Sequence, residues 1–258
     1  MSDFEVFFTS NAALGKKLLW EHTIYQVVRL FEEAERRIRS ADGQKHYTGL
    51  AGWWRKSAHR INNKNGFQVP EETAVSEALV EQMELVKRDF ILNAHNFGPD
   101  IADIDSLEFY AEAPRRRKAG IGRYAKPTDF RFYRSGLGSF DLRIEAKVLT
   151  KDAEIAKKYL SGDGLGRFSD PKEPYTDDLV GGMIAYTVAD DRATWLARIN
   201  SQMGSASPAI SSFQHSLPPS GQQILFSQVP FNFVKSPAQT EVLVFHIVLE
   251  FDCVPSAR

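Results

Sequence analysis

Hydrophobic residues in the N-terminal part of the chain recur at helical spacing. Between residues 14 and 40, large apolar side chains recur at Leu18, Tyr25, Val28 and Phe31, which is typical of one face of an amphipathic helix. A polar run at 62–66, Asn-Asn-Lys-Asn-Gly, then interrupts the chain. We therefore predict an N-terminal helical extension over 1–66 and a second domain over 67–258, the two forming one compact unit.

A second helical pattern begins at Pro70. Proline suits the first position of a helix, and Glu71 and Glu72 stand in the first turn, where the helix dipole favours acids. A stripe of apolar residues at helical spacing follows, namely Val75, Leu79, Met83, Val86 and Phe90. This pattern predicts a helix that ends before the Asn-Phe-Gly-Pro-Asp run at 96–100.

Extended segments dominate the rest of the chain. Alternating apolar and polar residues predict strands over 106–111, 128–134 and 140–149. The further expected elements are a helix over 151–160, a strand over 182–188, a helix that Asp190 and Asp191 can cap and that runs to about Gln202, and a loop over 205–221. The nearly continuous apolar run at 240–251 suits a central strand covered on both faces. The order predicts an α/β fold with a mixed central β-sheet flanked by helices.

Composition excludes several classes of protein. Among the 258 residues, 32 lysines and arginines balance 33 acids for a net charge of −1, so the chain does not coat nucleic acid by bulk charge. The single cysteine, Cys253, excludes an intramolecular disulfide and a cysteine-rich zinc site. No apolar run is long enough to cross a bilayer. We expect a cytoplasmic protein without a membrane partner, and we interpret His246, inside an apolar run, as a core histidine.

Two predicted strands carry the candidate chemistry. If the hairpin is symmetric about Leu137, Phe132 faces Leu142 and Phe130 faces Ile144, so their apolar faces coincide. That register also sets Asp129 opposite Glu145, and like charges placed opposite each other destabilise a strand pair. A shared Mg²⁺ would remove the penalty, and Lys147 projects from the same face as Glu145. The alternative, a strand face of solvated charges, stays open from the alternation alone.

These residues resemble the motifs of the PD-(D/E)xK, or restriction-endonuclease-like, nucleases. Pro127-Thr128-Asp129 matches the first half-motif with one residue inserted between Pro and Asp, and Glu145-Ala146-Lys147 matches the second. The resemblance covers roughly residues 70 to 190. It implies a core with a helix before the two motif strands and a helix and strand after them.

The resemblance also implies roles for individual residues. Asp129, Glu145 and Lys147 would be catalytic, and Mg²⁺, for which Mn²⁺ can substitute, would bind to Asp129, Glu145 and the Ala146 carbonyl. Glu72 begins a match to the E-x-x-[IV]-[ST] helix opening of many members and would be a further metal ligand. It falls near the centre of the apolar stripe, where a carboxylate needs a partner or a metal. The alternative is a hydrated first-turn glutamate. With the metal absent, clustered acids should raise at least one carboxylate pKa by mutual repulsion.

A basic run precedes the first motif strand. We expect it to hold a phosphodiester backbone beside the site, although a solvated loop remains the alternative. Its residues are Arg115, Arg116, Arg117, Arg123 and Lys126. Arg167, in a glycine-rich turn, is a further candidate phosphate contact.

The predicted function is a metal-dependent endonuclease that hydrolyses DNA. By family analogy it would serve in restriction or anti-phage defence, with DNA as its partner, and with other subunits of such a system or a second copy of the chain as further partners. The alternative function is a catalytically inactive module of the same fold that binds nucleic acid or a partner protein. The near-neutral charge and the inserted Thr128 favour that alternative.

Overall fold

A computed structural model describes most of the chain. It covers residues 1–11, 13–49, 59–61, 68–70, 72–93, 103–115, 125–134, 139–188, 190–231 and 240–251. The helices are α1 (Asp3–Ser10), α2 (Lys17–Arg39), α3 (Ala41–Gly49), α4 (Glu72–Leu92) and α5 (Arg192–Gly204). Shorter helical turns are the 3-10 helices Leu14–Lys16, Ile104–Ser106 and Leu165–Ser169 and the π-helix Ile155–Tyr159. None of the helices in this part of the chain is both long and apolar enough to cross a membrane.

The strands form one large sheet and one small one. They are β1 (His59–Ile61), β2 (Gln68–Pro70), β3 (Glu108–Arg115), β4 (Ala125–Arg134), β5 (Phe140–Leu149), β6 (Val180–Thr187), β7 (Ser211–Leu217), β8 (Gln222–Pro230) and β9 (Glu241–Glu250). The large sheet has seven strands in the order β3-β4-β5-β6-β9-β8-β7. β5, β6 and β9 run parallel, whereas the outer pairs are antiparallel. The fold is thus mixed α/β, as predicted.

The apolar run near the C-terminus forms a central strand, which confirms the prediction for it. β9 lies between β6 and β8, and every residue between its two end glutamates is buried. β6, its parallel neighbour, is buried along its whole length. Strands in the middle of a sheet that is covered on both faces have no polar side to present to water, so their sequences are continuously apolar.

Helices from the N-terminal half cover one face of the sheet. The predicted stripe on α4 is entirely buried, from Val75 to Phe90. On α2, the Phe31 ring centroid lies 5.0 Å from that of Phe130 and 5.5 Å from that of Phe132 on β4. Side chains of α1, α2 and α4 share one continuous core with the sheet, because the even-numbered residues of β4 and β5 point towards these helices.

The opposite face of the sheet is only partly covered by core residues. Here the π-helix, the 3-10 helix Leu165–Ser169 and α5 pack on β6, β8 and β9. Within the described ranges, this second core reaches β5 only at Leu149 and includes no residue of β3 or β4. The odd-numbered polar residues of β4 and β5 therefore lie beside this second core, and on β5 Arg143 and Glu145 are themselves buried.

Several sequence predictions were wrong in detail. Pro70 is the last residue of β2 rather than the first residue of a helix, and α4 starts at Glu72. The predicted loop at 205–221 contains β7, whose mostly polar sequence suits its place at the sheet edge. The expected helix at 151–160 includes a five-residue π-helix. β8 was not predicted. The polar run at 62–66 lies outside the described residues.

The N-terminus of α5 carries the predicted aspartate cap. Asp191 is the N-cap residue, and its Oδ1 accepts a hydrogen bond of 2.7 Å from the Thr194 backbone N–H. We expect Asp191→Ala to lower the free energy of unfolding by about 1 kcal/mol in urea titrations, because a helix donor loses its partner. Asp190→Ala is the matched control: it removes only an exposed ion pair with Arg198 and should change stability by less than about 0.5 kcal/mol. Equal losses in the two variants would contradict the capping role.

Candidate active site

The pairing of β4 with β5 has the predicted register. Phe130 faces Ile144 and Phe132 faces Leu142, and all four side chains are buried. A shift by one residue would turn one of these apolar sets towards the polar face, which explains why the sequence pattern specified the pairing. The hairpin loop at 135–138 lies outside the described residues.

The two strands separate where the motif residues lie. The paired residues of β4 and β5 end at Phe130 and Ile144, one position before Asp129 and Glu145. Asp129 Oδ2 instead accepts a hydrogen bond of 2.7 Å from the Ala146 backbone N–H. In a strand, the N–H and C=O of one residue point the same way, so the Ala146 carbonyl also points towards β4 and the Asp129 side chain.

From the face of the sheet that the N-terminal helices cover, Glu72 approaches the point where β4 and β5 separate. It is the first residue of α4, and its Oε2 accepts a hydrogen bond of 3.3 Å from the Val148 backbone N–H on β5. Val148 is two residues after Ala146, so both N–H groups lie on the edge of β5 that faces β4. The helix thus brings the carboxylate of Glu72 to the edge that binds Asp129.

Lys147 contacts two of the acids directly. Its Nζ lies 2.5 Å from Glu145 Oε1 and 3.7 Å from Glu72 Oε1. Glu145 is 5% exposed. The structure therefore brings together the four side chains that the sequence singled out: three carboxylates and the ammonium group of Lys147.

Burial shifts the titration of this cluster. Burial first, and repulsion by Glu145 second, raise the pKa of Asp129 from 3.8 to about 7. Burial likewise raises the pKa of Glu72 and of Glu145 and outweighs the lowering effect of Lys147 on each. Removal from water, rather than the mutual repulsion expected from the sequence, is the larger cause of these shifts.

Lys147 remains a cation in this environment. Burial lowers the pKa of its amine, but the carboxylates of Glu145 and Glu72 oppose that effect, and the net result is a raised pKa. A protonated amine donates hydrogen bonds and positive charge but cannot accept a proton. Lys147 is thus suited to orienting oxygen atoms or stabilising negative charge.

The candidate metal ligands do not form a complete set by themselves. Within the described ranges, no three histidine, cysteine or acidic side chains converge closely enough to hold a metal ion. Glu145 Oε2, however, is buried and accepts no hydrogen bond from the described residues. An unpartnered buried carboxylate oxygen is costly unless a cation or water satisfies it.

Tyrosine hydroxyls beside the acids were not predicted from the sequence. Tyr175 is 2% exposed, and its hydroxyl donates to the Asp163 carbonyl at 3.0 Å. This hydroxyl also offsets part of the rise that burial causes in the pKa of Glu145. On the helix side, the Tyr186 and Ser76 hydroxyls lie 2.8 Å apart. No pattern in the sequence predicts the position of Tyr175, because its segment has no regular periodicity.

The structure describes only some of the predicted phosphate-binding residues. Arg115 lies at the end of β3 and Lys126 in β4, where the structure describes the backbone but not their side chains. Arg116, Arg117 and Arg123 lie outside the described residues. Arg167 is engaged within its own loop, with hydrogen bonds to the Glu173 carbonyl and carboxylate at 3.0 and 3.1 Å. Their contact with nucleic acid stays a prediction.

His246 is a core residue away from these acids, as predicted. Its Nδ1 lies 3.0 Å from the Tyr159 hydroxyl and its Nε2 lies 2.9 Å from the Ser227 hydroxyl. It is 1% exposed, and burial lowers its pKa to about 3. The imidazole is therefore neutral and satisfied by its two neighbours.

Comparisons with known proteins give this chain no relative. No protein-family model, no curated protein and no solved structure matches it.

Proposed function

We propose that this protein is a metal-dependent endonuclease that hydrolyses phosphodiester bonds in DNA. The observation that carries the proposal is the meeting of Asp129, Glu145 and Lys147 at the point where β4 and β5 separate. Buried acids with strongly shifted pKa values are more common at functional sites than in ordinary strand faces. The setting that the resemblance implies, restriction or defence against foreign DNA, belongs to the same proposal.

The order of elements supports the assignment to a restriction-endonuclease-like core. Helix α4 precedes the antiparallel strands β3, β4 and β5, and helical turns then lead to β6, which pairs parallel with β5. This is the succession that the resemblance to PD-(D/E)xK nucleases implies: a helix, the two motif strands, then a helix and a strand.

The donor atoms are suitable for Mg²⁺. This ion prefers oxygen ligands, and proteins usually hold it with one or two carboxylates while waters and substrate phosphates complete the octahedron. Asp129, the unpartnered Glu145 Oε2 and the Ala146 carbonyl are oxygen ligands of this kind, with Glu72 beside them. A partial set of protein ligands is compatible with Mg²⁺, because waters and substrate phosphates supply the remaining ligands.

The chain's own residues would then have distinct roles. When bound, Mg²⁺ supplies polarisation of the scissile phosphate and activation of water. Asp129 and Glu145 would hold the ion, and the Ala146 N–H keeps the Asp129 carboxylate in place. Lys147, which stays protonated, would donate hydrogen bonds from Nζ to the attacking water or to the developing negative charge on the phosphate.

The direct test is DNA cleavage in the presence of Mg²⁺ or Mn²⁺ and in EDTA. Plasmid DNA, single-stranded DNA and RNA serve as substrates, and the rate is measured for the wild-type protein and for Glu145→Gln. We expect cleavage that requires the metal and falls by about a thousandfold in the variant, the order of effect of losing one group that stabilises the transition state. Glu84→Gln, which changes an exposed glutamate on α4, should cleave like the wild type.

Calorimetric titration of Mg²⁺ into the protein separates this function from the inactive-module alternative. Saturable Mg²⁺ binding that Glu145→Gln removes supports the nuclease. No cleavage with any metal and no Mg²⁺ binding, in protein that circular dichroism shows to be folded, would overturn the proposal and support a module that only binds. Equal cleavage by the wild type and Glu145→Gln would exclude the proposed site.

A further inference from the structure

The strands β3, β4 and β5 carry a polar and aromatic face next to the acids. On this face, Tyr110 of β3 stands opposite Arg131 of β4, and Arg131 stands opposite Arg143 of β5. The next residue on this face of β4 towards the motif is Asp129. Alternate residues of a strand lie about 7 Å apart, and the guanidinium of Arg131 extends further from Asp129, towards Asp141 and Tyr133.

Arg131 is held in one orientation by its neighbours. Its Nε and Nη2 donate hydrogen bonds of 2.9 and 3.0 Å to the two carboxylate oxygens of Asp141. Its Cζ lies 5.0 Å from the centre of the Tyr133 ring, and Arg143 contacts the same carboxylate at 2.9 Å. The guanidinium is therefore fixed before any ligand arrives, which reduces the entropy lost on binding.

Donors of Arg131 remain directed away from these contacts. Among the described residues, Asp141 is the hydrogen-bond acceptor of its guanidinium, through Nε and Nη2, and its side chain is 33% exposed. An exposed arginine–aspartate pair adds little to stability. A preorganised guanidinium with N–H groups that no described residue accepts is instead the side chain best suited to binding a phosphate with two hydrogen bonds.

Aromatic rings extend the same face away from the acids. Tyr133 and Tyr110 are stacked with ring centres 5.8 Å apart, and Tyr110 is 47% exposed. Exposed tyrosine rings provide stacking surfaces for bases without sequence preference. The order along β4 is thus Asp129, Arg131 and Tyr133, and Glu108 of β3 accepts hydrogen bonds from the hydroxyls of both tyrosines.

We propose that Arg131 binds a phosphate to one side of the scissile phosphate in the DNA strand that is cleaved. This inference rests on the proposed function and adds a phosphate-binding residue to it. Asp141 orients the guanidinium, and Tyr110 offers its ring to the base beyond that phosphate. The contact fixes the register of the strand, so that the scissile phosphate lies at Asp129 and Glu145.

Binding without cleavage tests the inference. Fluorescence anisotropy measures the affinity of the protein for a labelled DNA duplex and for its single strand. The titrations contain Ca²⁺ in place of Mg²⁺ and are repeated over a series of salt concentrations. We expect Arg131→Met to weaken binding about tenfold and to reduce the slope of log affinity against log salt by about 0.9 on duplex DNA. Arg131→Lys, which keeps the charge but not the paired donors, should keep the slope and bind with intermediate affinity.

The matched control is Arg36→Met, which removes an arginine that is 68% exposed on α2 and should leave affinity and slope unchanged. Wild-type affinity and slope in Arg131→Met would overturn the inference while the nuclease proposal stands. A wild-type protein that neither binds nor cleaves DNA would overturn both. A weaker affinity with an unchanged slope in Arg131→Met would also count against a phosphate contact, because only the loss of a phosphate contact changes the number of ions released.

Discussion

Asp129→Asn is expected to make the metal-free protein more stable than the wild type at pH 8. An unfolded aspartate has a pKa near 3.8, and burial together with Glu145 raises that of Asp129 to about 7. Between these values the folded state holds a proton that the unfolded state has lost. Wild-type stability therefore falls as pH rises through this window, by at most about 1.4 kcal/mol per pH unit. An asparagine stays neutral and can still accept the Ala146 N–H bond.

Urea unfolding in EDTA from pH 4 to pH 8 measures this effect. The variant should lose less stability than the wild type over the window, and the two curves should run parallel above about pH 7. Asp152→Asn, at an aspartate whose side chain is 63% exposed, should follow the wild-type curve. If Asp129→Asn lost as much stability as the wild type between pH 4 and pH 7, the raised pKa would be refuted.

The same substitution should remove the response to metal. A ligand that binds only the folded state raises the free energy of unfolding. At concentrations above the dissociation constant, this increase grows with the logarithm of the ratio of ligand concentration to dissociation constant. Millimolar Mg²⁺ is therefore expected to raise the Tm of the wild type and to leave that of Asp129→Asn unchanged, while cleavage by the variant is lost. The candidate site would thus reduce the stability of the metal-free fold in return for metal binding, as strained functional sites commonly do.

Lys147→Met should destabilise the protein by about 3 kcal/mol at pH 8, because it leaves the buried carboxylate of Glu145 without its cation. The loss should diminish as pH falls, since an unpaired buried carboxylate takes up a proton more readily. The double variant Lys147→Met/Glu145→Gln should recover much of the stability, because a neutral amide replaces the isolated charge. Unfolding free energies of the four proteins in this cycle give the coupling between the two side chains.

Lys157→Met is the control for this cycle, since Lys157 is exposed on the π-helix and its loss should change stability by less than about 0.5 kcal/mol. Additive losses in the double variant would show that Lys147 and Glu145 do not form the ion pair described above. Both variants that lack Lys147 should also fail to cleave DNA, even where the double variant is stable.

Local patterns in the sequence determined the elements whose faces differ most in polarity. The stripe on α4, the alternation on β4 and β5, and the continuous apolar run of β9 each fixed which residues would be buried. The register that sets Phe130 opposite Ile144 followed from a hairpin symmetric about Leu137 together with this alternation, because a slip by one residue exposes aromatic rings. The edge strand β7 was missed since its residues are mostly polar, and a sheet edge needs little apolar surface.

Only the tertiary structure decided how distant segments meet at the acids. The sequence placed Glu72 near the centre of the apolar stripe, but its bond to the Val148 N–H depends on how α4 packs against the sheet. Tyr175 approaches Glu145 through an irregular segment, and the parallel pairing of β5 with β6 joins residues far apart in the chain. Periodicity specifies which face of an element is buried, whereas contacts between elements depend on packing that no local pattern encodes.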